Sequence, residues 1–143
     1  NDIQDLGGGS FRTTAAVVQY SALDQYAMGL RSEADVPPVF YVESPTNIVP
    51  DRNRESTPRV GVTFNGTRRD VLIQDVVAAL GPRQPSVTES PRLHRQAFVY
   101  VISNGTTANR ATVEKLDRFR REWEPFFHGA TDGRMRVETR LRP

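Results

Sequence analysis

The sequence predicts an α+β fold: a mainly antiparallel sheet containing a β-hairpin, packed by one long C-terminal helix and by shorter helices. Three observations carry that expectation. Val60, Val62 and Phe64 alternate before Asn65-Gly66, and the chain then returns through Thr67–Ile73, the strongest short-range signal for a hairpin. From about Thr107 to Phe127, Val113, Leu116, Phe119, Trp123, Phe126 and Phe127 recur at helical spacing, with Trp123 at the centre of the stripe. The stretch Tyr20–Val42 reads as a capped helix, a proline stop and a buried strand.

The first ten residues end in Gly7-Gly8-Gly9-Ser10, a flexible segment that suits a linker, a tight turn or a backbone approach to a ligand; linker or loop is favoured because the helix that a phosphate cradle requires does not follow. Thr13–Val18 is ambiguous between strand and helix, but its frequent β-branched residues favour a short strand or an irregular lead-in. Ser21 and Asp24 have the spacing of a capping box, so a helix starts at about Ser21, with Leu23, Tyr26, Ala27 and Leu30 on one face. Ser32 offers a second cap, with Glu33 and Asp35 in the first turn behind it. Pro37-Pro38 bars helical continuation, and Val39-Phe40-Tyr41-Val42 suits a buried strand.

Glu43–Pro58 carries Pro45, Pro50 and Pro58 among charged residues and is expected to be the most mobile loop. Asp75–Leu80 reads as a short helix with Val76, Val77 and Leu80 inward, stopped by Gly81-Pro82. Ala97–Ile102, a continuous apolar run, has the composition of a central strand covered on both faces. Along the long helix, Glu114 with Arg118, Asp117 with Arg121, Arg118 with Glu122 and Arg120 with Glu124 offer opposite charges one turn apart. Pro125 should kink or end that helix near Glu124. Met135, Val137, Thr139 and Leu141 alternate with Arg136, Glu138, Arg140 and Arg142, which predicts a last strand with one dry and one charged face.

At 143 residues the chain fits a single domain or the C-terminal subdomain of a larger unit. It opens on Asn1 without a start methionine or a signal-like segment, the pattern of a piece processed from a longer precursor. No apolar run approaches the roughly 20 residues that span a bilayer. Net charge is only +2, and Lys115 is the sole lysine among 19 basic residues. The arginine skew fits a GC-rich genome, and without clustered charge and interleaved aromatics no nucleic-acid partner is expected. No cysteine is present, which excludes disulfides, thiolate catalysis and Cys-ligated metals.

Candidate chemistry is sparse. His94 and His128 lie on different elements without a partner at ligand spacing, too few donors for a metal site; His128 is instead placed to meet the carbonyl end of the long helix. No serine sits in GxSxG. Asp24, Glu33 and Asp35 are carboxylates that capping already explains, and Asp132-Gly133 lacks the repeated acidic spacing of a calcium loop. Asn65-Gly66-Thr67 and Asn104-Gly105-Thr106 match the glycosylation pattern but also make Asn-Gly turns. Catalytic and metal-binding residues and a cofactor are therefore not assigned to this chain.

The wording YSALDQYAMGL followed by EADVPPVFYV resembles a segment of large secreted bacterial proteins of a zinc-metallopeptidase-like type, in which it lies downstream of an HExxH helix. GVTFNGTRRDV, Gly81-Pro82-Arg83 and TDGRMRVETRL are similar to later parts of the same pattern, so the resemblance spans nearly the whole chain. No HExxH occurs here. The resemblance implies a non-catalytic C-terminal portion, extracellular or secreted and inert by itself, packing beside a zinc site supplied by an N-terminal half. Met28 would then stand in a methionine-bearing turn, although filling a core is the ordinary role of such a thioether. The rival expectation is an extracellular interaction or assembly module that pairs with copies of itself or a partner through an exposed strand edge. On either reading an apolar partner-packing surface is expected around Tyr20, Tyr26, Met28 and Phe40, since large exposed apolar patches mark interfaces.

Overall fold

A computed structural model describes residues 2–47 and 57–140. The fold is α+β. Its elements in chain order are strands β1 (Asp2–Gly7) and β2 (Ser10–Ala15), helix α1 (Ala22–Ala27), a 3-10 turn (Glu33–Asp35), strands β3 (Val39–Thr46) and β4 (Thr63–Val71), helix α2 (Ile73–Leu80), strand β5 (Leu93–Arg95), helix α3 (Arg110–Ala130) and strand β6 (Arg136–Glu138). They fall into two compact units, Asn1–Val18 with Glu33–Arg83, and Gln19–Ser32 with Gln84–Pro143.

The first unit is an antiparallel sheet in the order β1-β2-β4-β3. Of the readings open to the glycine-rich start, the structure shows the tight turn and not the favoured linker: Gly7, Gly8 and Gly9 all take positive φ and turn the chain from β1 into β2. The hairpin expected at Asn65-Gly66 is absent. Those residues lie inside β4, which continues unbroken because both its edges are taken, Phe11 opposite Phe64 on one side and Glu43 opposite Thr67 on the other. Two neighbouring ladders override the local turn preference. The core here is aromatic: Phe11 is buried, stacks on Phe64 at 5.8 Å between ring centroids and lies 6.3 Å from Phe40. Thr13, also buried, fixes the next segment by donating to Arg59 O at 2.7 Å and accepting from Val62 N at 2.9 Å. In α2, Asp75 accepts the orphan Leu72 N–H at 3.0 Å and Gly81 ends the helix at φ 80°. Ile73 is its buried residue, whereas Leu80, expected inward, is 83% exposed.

The second unit is built from α1, α3 and a two-stranded parallel sheet, β5-β6. The capping box forms as its spacing requires: Asp24 N donates to Ser21 Oγ at 3.1 Å and Ser21 N to Asp24 Oδ2 at 3.0 Å. Leu30, Phe127, Met135 and Val137 make the core, with Met28 and Trp123 packed on it. Pro125 does not end α3, which runs on through Phe127 to Ala130. The last turn docks into this core, and that packing outweighs one lost hydrogen bond. The centre of the helical stripe is consequently Phe127 rather than Trp123, which is half-buried. Of the pairs expected along the helix, Asp117 meets Arg121 at 3.2 Å. Met135, Val137 and Thr139 are buried, as the alternation at the C-terminus predicts. Leu141 and most of the 43–58 loop lie outside the described residues.

Candidate docking site

The predicted central strand Ala97–Ile102 is the largest departure from the sequence reading. It follows β5 directly but joins no ladder among the described residues. Its apolar side chains nonetheless alternate in exposure with the period of extended chain: Phe98 40%, Val99 77%, Tyr100 38%, Val101 83% and Ile102 41%. The segment thus has a strand's composition and side-chain alternation without a strand's hydrogen-bonded neighbour. Gln96 marks the point of departure. Its N–H donates to Glu138 O at 3.0 Å, the last bond of the parallel ladder, and its side-chain oxygen accepts from Trp123 Nε1 at 2.6 Å.

The parallel sheet has two edges, and the fold treats them differently. On β6 the outer edge is covered by α3. Thr139 donates from its N–H at 2.8 Å and from its hydroxyl at 2.6 Å to Glu124, while Met135 N donates to Thr131 Oγ1 at 3.3 Å. The Thr139 hydroxyl, then its N–H, holds the Glu124 carboxyl below the usual carboxylate range. On β5 the edge is open. Arg92 O and Gln96 N serve β6, so the alternation of a parallel ladder turns the N–H and C=O groups of Leu93 and Arg95 the other way. No partner meets them among the described residues.

Beside this segment lies an open cleft of ≈ 470 Å3 lined by Phe98, Arg120, Thr139 and Arg140. Arg120 is held in place, donating to Asp117 at 2.9 and 3.1 Å and to Thr139 Oγ1 at 3.3 Å. Arg140 makes no ion pair among the described residues. The second unit as a whole is basic, with 12 Arg and Lys against 8 Asp and Glu in its two chain segments. An apolar strip with an open backbone edge and guanidinium groups beside it can bind an extended, acidic polypeptide by strand addition.

The partner-packing residues named from sequence divide between the units. Tyr20, Tyr26 and Met28 belong to the second: Tyr20 meets Phe127 edge-on at 6.0 Å, Tyr26 is buried, and Met28 closes α1 against the core. Phe40 belongs to the first, beneath the Arg68 guanidinium at 4.2 Å from its ring centroid. His128 Nδ1 lies 3.0 Å from Met135 O at the end of α3, and His94 is exposed on β5. Asp132 is not in a calcium loop but in a polar knot, accepting from Gln25 Nε2 at 2.9 Å and Arg31 Nη2 at 2.8 Å. Among the described residues no three His, Cys, Asp or Glu side chains group closely enough to hold a metal ion. Sequence reasoning missed Arg120, Thr139 and Arg140 as one lining; the alternation Thr139-Arg140 was visible, but only the packing of α3 against β6 brings Arg120 to it.

No helix among the described residues is long and apolar enough to cross a membrane. Compared with protein-family models, curated proteins and solved structures, the chain matches none.

Proposed function

We propose that this chain is a docking module of a larger protein, whose Ala97–Ile102 segment and β5 edge receive an extended, acidic segment of the rest of that protein. The observation that carries the reading is the exposed run Phe98–Ile102, apolar at every position and alternating like a strand, next to an edge with open backbone groups. Burying apolar surface at about 25 cal/mol per Å2 and closing a ladder are the two gains a partner strand supplies. The basic balance of the second unit, with Arg120 and Arg140 lining the cleft, sets the partner's sign. The resemblance of Tyr20–Val42 to secreted bacterial zinc-metallopeptidase-like proteins supports assigning the partner to an upstream, metal-bearing half, with this chain as the non-catalytic, extracellular portion. Met28 fits that reading, since it stands in the turn that closes α1, followed by Gly29 at φ 75°.

The test is hydrogen exchange over residues 93–102 in this chain alone and in the same chain joined to its upstream sequence, with the Val99→Asp/Val101→Asp variant as control. Slowed exchange in the joined protein, lost in the variant, supports the reading. Equal exchange in both rejects it. Slowing by dilution-reversible association of the chain with itself, seen by sedimentation velocity, would transfer the site to self-assembly.

A further inference from the structure

We propose that Asn104 is a site of spontaneous covalent modification, converting to aspartate and isoaspartate, while Asn65, in the same Asn-Gly dipeptide, is protected by the fold. The reaction needs only water. The backbone nitrogen of Gly105 attacks Cγ of Asn104, the C–N bond of the side-chain amide breaks, and ammonia leaves with the proton of the attacking N–H. Water then opens the five-membered imide at either carbonyl, giving aspartate or, with the backbone routed through the side chain, isoaspartate. Its demands are structural: a nitrogen free of hydrogen bonds, a following residue without a side chain, and backbone able to rotate.

Asn104-Gly105 meets all three. The pair occupies the central positions of a turn closed by Thr106 N donating to Ser103 O at 3.1 Å, with Gly105 at φ 79° as a type II turn requires. Both residues are exposed, neither has a hydrogen-bond partner among the described residues, and a Cβ on Gly105 would meet nothing within 4 Å. The turn joins two segments that belong to no ladder among the described residues, so no strand pairing there restrains its rotation. Asn65-Gly66 meets the chemical requirement but not the physical ones. The attacking nitrogen, Gly66 N, donates to Gly9 O at 2.9 Å, and Asn65 is paired with both Ser10 and Thr46. The space beside Gly66 is filled by Val42 Cγ1 and by Glu43 O. Attack there requires the sheet to open first. The product at position 104 is a new negative charge two residues after Ile102, on the basic unit.

The experiment is incubation of the folded chain at mildly alkaline pH, followed by peptide mapping for the amide-to-acid mass change and enzymatic methyl labelling of isoaspartate. Asn104 should convert at least roughly tenfold faster than Asn65, because the Gly66 amide must first leave its hydrogen bond. In denaturant the two rates should converge, and Asn104→Gln should remove the native-state signal while leaving Asn65 unchanged. Equal rates in the folded chain, or conversion at Asn65 alone, would overturn the proposal, as would an Asn104 that keeps its amide while the denatured control loses it.

Discussion

Buried Gln25 shows how much one side chain can organise. Its amide donates to Tyr20 O at 3.0 Å and to Asp132 at 2.9 Å, and its oxygen accepts from Arg31 Nε at 3.0 Å. Gln25→Leu would leave those partners without it, and chemical denaturation should register a loss of about 1–3 kcal/mol. Gln25, then Arg31, holds the Asp132 carboxyl below its ordinary value of 3.8. Its contribution to stability is therefore fully present above that ordinary value and lost as pH falls through the lowered folded value. Melting curves across that acid range should flatten in Asp132→Asn, and an unchanged acid limb would show that the knot adds nothing. Phe127→Ala should cost about 3–5 kcal/mol, more than Trp123→Ala, because Phe127 is the buried centre of the stripe. Thermal melts of the two variants rank them directly. The sequence showed the stripe but not its centre, since Pro125 argues for a helix end one turn early and only the packing of Phe127 on Leu30, Met135 and Val137 resolves that conflict.

Elements whose signals are local were legible, and those decided by neighbours were not. Ser21 and Asp24 lie three residues apart and cap α1 through contacts of their own. The Asn65-Gly66 turn signal is equally local, yet two flanking strands hold it straight. Gly7-Gly8-Gly9 shows the converse, a flexible-looking run made into a tight hairpin by β1 pairing with β2. The candidate site was half legible: Ala97–Ile102 carries a strand's composition, which marks it as a segment meant for burial, but composition cannot say whose strand completes it. The Val99→Ser/Val101→Ser variant should accordingly leave the stability of the chain within about 0.5 kcal/mol, as surface changes do. The same variant should lower the binding of a dye specific for exposed apolar surface, and a large loss of stability would mean that these valines are packed after all.

On the scale of the whole chain, the two units are interleaved: the polypeptide passes from one to the other after Val18, after Ser32 and again after Arg83. The sheet of the first unit has every strand once Val71 is in place. The second unit holds Tyr20 N against Ala130 O at 2.9 Å and Gln25 against Asp132, contacts between an early segment and the last turn of α3. A chain ending at Ser103 should therefore keep slow hydrogen exchange in β2, β3 and β4 and lose it in α1, and protection of α1 in that chain would refute the dependence. During synthesis the same arrangement makes time a variable. The ribosome delivers Tyr20–Leu30 long before Phe127 and Met135 exist, so α1 must wait, capped but uncovered, through the translation of roughly a hundred codons at about 5–20 residues per second. A helix of six residues is too short to persist alone. Its apolar face is thus an early client for whatever chaperones attend the nascent chain, and it is released only when α3 and β6 have followed it out.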